Sequence, residues 1–519
     1  MFTKKVIFLI IVCTVIRLIL AGFIEFGNDE VYYYTYAIHL QQNYFDHPPG
    51  VAWLIRIFTA NLYLQGEMFV RLGSIVFAAI ATWLVYKTGA LIRNERAGWF
   101  AALLYNTSIY SSIIAGTFIL PDSPQVVFWL GCIYMALKII MAYSNNGKPT
   151  YTQWLLFGVL AGVCIMCKVH GAFLWIGLGL YMLLYNRKMF LHPGFYIAAI
   201  ITATIISPII LWNIQNNFIT WRYHSERVEV HAFKLNTDGF IQAFFGQVFY
   251  NNPLNVAITI ASLLYVRKNN LVTPGVKRLL LLCGLPIILF VTAIALFRDV
   301  LPHWSGPGFL TLSLIAAAFL DERIKENVKS VYRTLVKSTV IFMLILVTGA
   351  LILINQYPGT LGAEDIKKHG DGDFTLDLSG WQQLGDQFAA WQKEAEAKKE
   401  IPAGLHIVCN KWFPAAHIEY YVARPTNNYV IGVGNLNDLH QYVWLNHYRG
   451  ALKTGDSALC IIPSNYYEDV TTAYGLYFQS ATLLKTFTGT RGGTVTRYFS
   501  VYLLNGYKGN DEAREYKVE

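Results

Sequence analysis

Apolar stretches long enough to cross a lipid bilayer recur through the first two thirds of this 519-residue chain. A membrane-spanning helix needs about 20 mostly apolar residues. Eleven runs approach that length, at about residues 6–24, 67–86, 97–117, 123–142, 153–167, 169–185, 194–213, 244–266, 279–297, 304–320 and 338–354. We therefore predict a mainly α membrane domain over residues 1–355, with about eleven transmembrane helices, followed by a smaller water-soluble domain over residues 356–519.

The composition agrees with a membrane protein and gives it an orientation. The chain is 55% hydrophobic and 14% charged, whereas soluble proteins are about 25% charged. Its net charge is +9, yet residues 356–519 contain 15 Lys and Arg against 18 Asp and Glu, so the basic excess lies in the membrane domain. Lys and Arg concentrate in cytoplasmic loops. This distribution predicts a multi-pass membrane protein with an extracytoplasmic C-terminal domain and no nucleic-acid partner.

The C-terminal domain is predicted to be α/β. Apolar residues from Trp381 to Ala395 recur at helical spacing, and the segments 405–408, 429–433, 459–462 and 495–503 have the composition of strands. Cys409 and Cys460 fall in two of those strands, and the sequence leaves open whether they form a disulfide. Cys164 and Cys167 lie in an apolar run, where helix packing is a better interpretation than metal binding.

Adjacent acids, Asp29 and Glu30, follow the first apolar run and precede Tyr32, Tyr33 and Tyr34. One interpretation is an interfacial segment with solvated acids and an aromatic belt. A second acid, Asp122, lies in another outer loop between Pro121 and Pro124, where the prolines restrict the backbone and aim the carboxylate. Two such loops favour a polar site at the outer face of the membrane.

Other polar groups are predicted to lie at the same face. The third apolar run carries a polar stretch over residues 105–112 that must face a bundle interior or a wet cavity. The basic and aromatic candidates are Lys168, His170, Arg222, Arg227, His303 and Trp304. Cations suit a phosphate and carboxylates suit proton transfer, so the set predicts a site for a charged, lipid-tethered substrate.

These motifs together resemble the polytopic class C glycosyltransferases, particularly the bacterial relatives of protein O-mannosyltransferases and of the aminoarabinose transferase that modifies lipid A. The resemblance covers about residues 1–320. It is carried by Asp29-Glu30 with its aromatic run, Tyr44-Phe45-Asp46-His47-Pro48-Pro49, Val70-Arg71-Leu72, Pro121-Asp122-Ser123-Pro124, Cys167-Lys168, Leu211-Trp212-Asn213 and His303-Trp304 with Pro307. It implies transfer of a sugar from a polyprenyl-phosphate donor to an extracytoplasmic acceptor, usually with inversion.

The resemblance also implies roles for single residues. Asp29 would be the catalytic base, Glu30 its acidic neighbour and Asp122 the second-loop acid that helps to build the site. His47 departs from the pattern, because the aminoarabinose transferase has a Lys there that contacts the donor phosphate. Neutral His binds phosphate less strongly than a cation does, so Lys168, Arg222 or Arg227 would supply the missing charge. Asp46, His303 and Trp304 would line the site.

Three questions stay open in the sequence. Asp29, Glu30 and Asp122 suit a divalent metal, Mg²⁺ or Mn²⁺, as well as metal-free base catalysis. The acceptor can be lipid A, another envelope glycan or a protein, and the sugar is not identified. A transporter or flippase of a lipid-linked sugar is the alternative function. Transporters commonly contain internal repeats and midplane sites, whereas here no repeat is evident and the charges lie at one face.

Overall fold

The computed structural model describes residues 1–144, 147–228, 235–325 and 330–510. Residue contacts divide the chain into two compact units, which are described separately below. The first unit comprises Met1–Ala21 and Gln41–Leu346, and the second comprises Gly22–Leu40 and Val347–Glu519. The predicted domains, 1–355 and 356–519, divide the chain by membrane location instead. The two compact units therefore do not test the predicted boundary between the membrane domain and the water-soluble domain.

The first unit is helical. Its helices are Phe2–Phe23, Gly50–Phe58, Glu67–Ile92, Glu95–Asn106, Asp122–Ser144, Tyr151–Cys167, Ala172–Tyr185, Pro193–Gln215, Ile219–Val228, Thr237–Tyr250, Pro253–Val266, Pro274–Ala295, Gly306–Lys325 and Ser330–Asn355, the first and last of which continue into the second unit. Within the described ranges, seven helices are long and apolar enough to cross a membrane, and three shorter apolar helices accompany them. The predicted fold class, a multi-span helical membrane protein, is confirmed.

Two of the predicted eleven spans are interrupted. The run 97–117 contains a helix that ends at Asn106, where Thr107 turns its hydroxyl back to the carbonyl of Leu103 at 3.0 Å. The run 244–266 contains two helices, because Asn252 adopts a φ of +62° and Pro253 starts a new helix. The prediction of one continuous helix is therefore wrong in both runs.

Small residues allow neighbouring helices to approach closely in this unit. A Cβ added to Gly98 would lie 2.4 Å from the carbonyl oxygen of Tyr86, and one added to Gly158 would lie 2.6 Å from that of Ala198. Membrane helices gain their packing from such small-residue contacts, because lipid supplies little hydrophobic driving force between helices. These contacts hold the helix Glu95–Asn106 against Glu67–Ile92 and the helix Tyr151–Cys167 against Pro193–Gln215.

The second unit combines short helices with a five-stranded sheet. The strands are β1 (Ile407–Cys409), β2 (Val430–Gly432), β3 (Ala458–Pro463), β4 (Phe478–Arg491) and β5 (Thr494–Tyr507), in the order β2-β1-β3-β5-β4. β1 runs parallel to β2 and β3, whereas β5 is antiparallel to β3 and β4. The helices are Asn28–Ile38, Trp381–Ala397, Trp412–Ile418, Leu436–Leu439, Tyr442–Asn446 and Val470–Tyr474.

The predicted α/β character of this unit is confirmed. The helix Trp381–Ala397 buries Trp381, Leu384 and Phe388 as its spacing indicates. Cys409 and Cys460 are free thiols. Because Ile407 pairs with Leu459 and side chains alternate along strands, the two cysteines project from opposite faces of the sheet.

Candidate active site

The predicted base, Asp29, lies in the first turn of the helix Asn28–Ile38 of the second unit. Its neighbour Glu30 is 1% exposed and accepts a hydrogen bond from the backbone N–H of Gly27 at 3.0 Å. Glu30 thus caps the helix, as an acid at the third helical position commonly does. Asp29 is exposed. A carboxylate in the first turn of a helix interacts favourably with the helix dipole.

Asn28, the first residue of this helix, is held by the distant part of the same unit. Its amide nitrogen donates to Oδ2 of Asp377 at 2.9 Å, and its amide oxygen accepts from Nε2 of His417 at 2.9 Å. Tyr466 donates to the other oxygen of Asp377 at 2.5 Å. Sequence reasoning missed Asn28, Asp377, His417 and Tyr466, because no local pattern marks contacts across more than 300 residues.

Burial controls the ionisation of this cluster. Desolvation raises the pKa of Asp377, although the hydrogen bonds from Tyr466 and Asn28 oppose it. Desolvation also lowers the pKa of His417 well below its usual value, and the charge of Arg497 adds to that effect. A neutral His417 is therefore the form that donates to Asn28.

The tyrosines after the acid pair are packed inside the second unit. Tyr32, Tyr33 and Tyr34 are all less than 7% exposed. The ring of Tyr32 lies 4.8 Å from that of Trp412, and the ring of Tyr34 lies 4.9 Å from that of Tyr420. Their burial in protein argues against the sequence-based alternative of an aromatic belt in the lipid interface.

The first unit contains the second predicted acid, Asp122, in a buried ion pair. Lys168 places its ammonium 2.6 Å from Oδ2 of Asp122, and Tyr110 donates to Oδ1 at 3.0 Å. Lys168 lies where the helix Tyr151–Cys167 ends, and Asp122 lies where the helix Asp122–Ser144 begins. Both side chains are about 2–3% exposed. The prolines flanking Asp122 indicated its fixed direction, whereas its pairing with Lys168 did not follow from the sequence.

Histidines and a tryptophan surround this ion pair. His170 and His303 are both close enough to Asp122 to interact with it electrostatically, and the ring of Trp304 lies 5.8 Å from that of His170. The structure thus brings together the predicted residues Asp122, Lys168, His303 and Trp304. Several donors for an anion lie around one buried carboxylate.

Asp46 and His47 lie near the helix Ile219–Val228. His224 on that helix donates through Nε2 to the backbone carbonyl of Asp46 at 2.6 Å, and its ring centroid lies 5.9 Å from that of His47. His224 also interacts electrostatically with His170, which links this loop to the Asp122 cluster. His224 belongs to the same polar stretch of the sequence as the predicted Arg222, but it was not singled out as a site residue.

Two predicted phosphate ligands, Arg222 and Arg227, lie in the helix Ile219–Val228. Arg222 is exposed, so its guanidinium is open to solvent. The side chain of Arg227 lies outside the described residues. Among the predicted phosphate ligands, Lys168 pairs with Asp122, and His47 lies beside His224. Arg222 lies on the same helix as His224.

Two of the three predicted metal ligands, Asp122 and Glu30, have defined protein partners. Both oxygens of Asp122 accept hydrogen bonds, from Lys168 and Tyr110, and Oε2 of Glu30 accepts one from Gly27. Across the described ranges, no group of three or more His, Cys, Asp or Glu side chains has the arrangement of a metal site. The involvement of a metal stays a prediction.

Comparison with known proteins adds an independent view of the chain. A family model described as dolichyl-phosphate-mannose-protein mannosyltransferase matches residues 46–212. The lipid A galacturonosyltransferase RgtD of Rhizobium johnstonii is 19% identical over 297 residues, which is 57% of this chain. The match spans 61% of the length of RgtD.

Solved structures match nearly the whole chain. The crystal structure of ArnT from Cupriavidus metallidurans in the apo state superposes with a TM-score of 0.63 and 14% identity, over 96% of this chain and 98% of that one. The same protein bound to undecaprenyl phosphate gives a TM-score of 0.60 with the same identity and coverage. The chain is thus a multi-span membrane protein with the fold of the class C glycosyltransferases. The resemblance identified from its motifs is confirmed.

Proposed function

We propose that this protein is an integral membrane glycosyltransferase. It moves a sugar from a polyprenyl-phosphate donor to an extracytoplasmic acceptor, which is lipid A, another envelope glycan or a protein. The observation that carries the proposal is the match of fold over 96% of the chain to ArnT, a protein also solved with undecaprenyl phosphate. The similarity to RgtD, a lipid A galacturonosyltransferase, supports the same class of reaction.

The proposed reaction is a single displacement. Asp29 accepts the proton of the acceptor hydroxyl or amine while its oxygen or nitrogen attacks the anomeric carbon. The bond between that carbon and the phosphate oxygen breaks, polyprenyl phosphate leaves, and the anomeric configuration inverts. The leaving phosphate needs cations near it, not a general acid, because its own pKa is low.

The cluster of hydrogen-bond donors in the first unit supports a phosphate site. His47 and His224 lie beside each other, and His170, His303 and Lys168 surround Asp122. Asp122 already neutralises Lys168, so we propose that Lys168 chiefly orients Asp122 and that His47, Arg222 and Arg227 contribute more of the donor affinity. Charge-assisted hydrogen bonds to phosphate are strong in a medium of low dielectric.

We further propose that the protein resides in the inner membrane with this chemistry at the extracytoplasmic face. The isoprenoid tail of the donor must stay in the bilayer while the sugar reaches water. The Lys and Arg distribution supports that orientation.

The decisive experiment compares envelope lipids, glycans and proteins by mass spectrometry between three strains. One strain lacks the gene, one is complemented with the wild-type chain, and one with Asp29→Asn. A sugar present only with the wild-type chain supports the proposal and identifies sugar and acceptor together. Identical envelopes in all three strains, with the wild-type chain expressed and folded, would refute it.

The divalent metal is tested with the purified enzyme. Treatment with EDTA followed by addition of Mg²⁺ or Mn²⁺ should abolish and then restore sugar transfer if Asp29, Glu30 or Asp122 holds a metal. Unchanged turnover in EDTA would reject the metal and leave base catalysis by Asp29.

A further inference from the structure

The start of the helix Asn28–Ile38, which carries the proposed base, and the residues just before it bind the C-terminal part of the second unit. The Glu25 carboxylate accepts the backbone N–H groups of Trp381 at 2.7 Å and Gln382 at 3.2 Å. The N–H of Phe26 donates to the hydroxyl of Tyr421 at 2.9 Å. The attachment closest to Asp29 is that of Asn28, whose amide is held at both ends by Asp377 and His417.

The two groups that hold Asn28 are themselves fixed. Asp377 accepts from Tyr466 at 2.5 Å. The imidazole of His417 stacks on the indole of Trp381, with centroids 4.1 Å apart and ring planes 9° from parallel. The guanidinium of Arg497 lies over the same indole at 4.3 Å and donates to the carbonyl of Ser379. A side chain held by such immobile partners has little freedom of its own.

Asp29 therefore lies between two anchored neighbours. Asn28 is tied to Asp377 and His417, and Glu30 is tied to Gly27. Asp29 itself is exposed. The backbone of residues 28–30 sets the place from which the Asp29 side chain extends, and the side chains of Asn28 and Glu30 hold that backbone. Misplacing a reacting group by about 1 Å can cost about 10²-fold in rate.

We infer that Asp377, His417 and Tyr466 are positioning residues for the proposed base, acting through the side chain of Asn28. The inference rests on the proposed function and extends it. The C-terminal domain then contributes to catalysis by holding the helix Asn28–Ile38, in addition to any contact with the acceptor.

An exchange of the two side chains tests this inference. Asn28→Asp alone sets two carboxylates against each other and should lower kcat by about 10- to 100-fold, with the KM for the donor nearly unchanged. Adding Asp377→Asn places an amide donor opposite the carboxylate introduced at position 28. Oxygen acceptors for His417 and Tyr466 are also kept. The double variant should therefore return kcat to within about threefold of wild type. The double variant still has the extra charge beside Asp29, so recovery separates lost geometry from added charge.

Asp373 supplies a matched control in the same segment. It is buried, pairs with the guanidinium of Arg491 at 3.1 Å and accepts hydrogen bonds from Thr360, Thr375 and the N–H of Leu361, and none of these partners is Asn28. Asp373→Asn should lower the melting temperature while leaving kcat per folded molecule unchanged. If Asn28→Asp does not fold, Tyr466→Phe removes only the hydroxyl that orients Asp377 and should still lower kcat by a few fold.

Hydrogen exchange gives a readout that needs no substrate. Peptides covering residues 22–40 should exchange faster in Asn28→Asp than in wild type and slow again in the double variant. Unchanged exchange and an unchanged kcat per folded molecule in Asn28→Asp would overturn the inference. The proposed function fails separately, if the wild-type enzyme transfers no sugar or if folded Asp29→Asn remains fully active. In that case the exchange data alone decide whether Asp377 anchors this helix.

Discussion

The ammonium of Lys168 lies 2.6 Å from Oδ2 of Asp122, and the hydroxyl of Tyr110 contacts the other oxygen of the same carboxylate. A buried ion pair tolerates the loss of both charges better than the loss of one, because a single remaining charge lacks both water and a partner. Variants of this ion pair can therefore distinguish an effect on the stability of the fold from an effect on donor binding.

Lys168→Met should destabilise the folded state by about 3–5 kcal/mol. Combining it with Asp122→Asn should recover most of that stability, since Tyr110 can still donate to the amide oxygen. Thermal melting in nanodiscs measures both effects. If Lys168 also binds the donor phosphate, the double variant stays stable yet shows a raised KM for the donor. A single variant that melts like wild type would contradict the ion pair.

Asp29→Asn should reduce turnover by about 10²–10⁴-fold, because the amide keeps the size of the side chain but does not accept the acceptor proton. Donor binding should survive. Glu30→Gln should cost less, since its amide oxygen can still accept from Gly27, and Asp122→Asn should also cost less if that residue only shapes the site. Sugar transfer by purified, monodisperse variants gives the order. A larger loss for Asp122→Asn would mean that the roles of the two acids are reversed.

Arg222→Ala should raise the KM for the polyprenyl-phosphate sugar several-fold with little change in melting temperature, because the side chain is exposed and its removal opens no core. The effect should shrink in high salt, which screens exposed charges. Arg187→Ala, at another exposed arginine of the first unit, is the control and should leave donor kinetics unchanged. Equal KM values for both variants and wild type would remove Arg222 from the site.

The helical membrane fold was predictable because long apolar runs leave few alternatives, but helix breaks inside those runs were not recognised. Asn251, Asn252 and Pro253 together mark the break in the run 244–266, since Asn tolerates a positive φ and Pro favours the first helical position. Hydropathy is averaged over a long window, so a turn of a few residues inside an apolar run does not lower it enough to be noticed. The polar stretch over 105–112 was predicted to face the interior, and Asn106, Thr107 and Ser111 are indeed buried.

The sequence was less informative about the second unit. Strand β4 was not predicted, because a register shift between Leu483 and Lys485 interrupts the alternation of its side chains. The bond between Asn28 and Asp377 joins residues 349 positions apart, and no spacing rule reaches that far. Candidate acids were recognisable by their loops, whereas the groups that hold them depend on tertiary packing.

Membrane topology can be tested with reporter fusions. A reporter that is active only outside the cytoplasm should work when fused after Tyr357 and fail when fused after Lys188, because the Lys and Arg bias puts these positions on opposite sides of the membrane. A reporter that is active only in the cytoplasm should give the reverse result. Activity outside at Lys188 would discard the extracytoplasmic assignment of the site.

Acid should destabilise the second unit through His417. Burial, with a smaller effect of Arg497, lowers the pKa of His417 well below its usual value, so below about pH 6.5 the unfolded chain binds a proton that the folded unit does not. The unfolded state then binds more protons, and stability must fall as the pH falls from about 6.5.

Asp377 acts with the opposite sign, because its raised pKa favours the folded state in acid, so Asp377 is kept in every variant. His417→Gln should therefore show a smaller drop in melting temperature between pH 7.5 and pH 5.5 than wild type, by the equivalent of about 1.4 kcal/mol over that whole interval, because only the pH unit below about 6.5 contributes much. His447→Gln, at an exposed histidine of the same unit, serves as the control and should melt like wild type at both pH values. An equal drop in wild type and His417→Gln would show that His417 does not remain neutral in the folded unit.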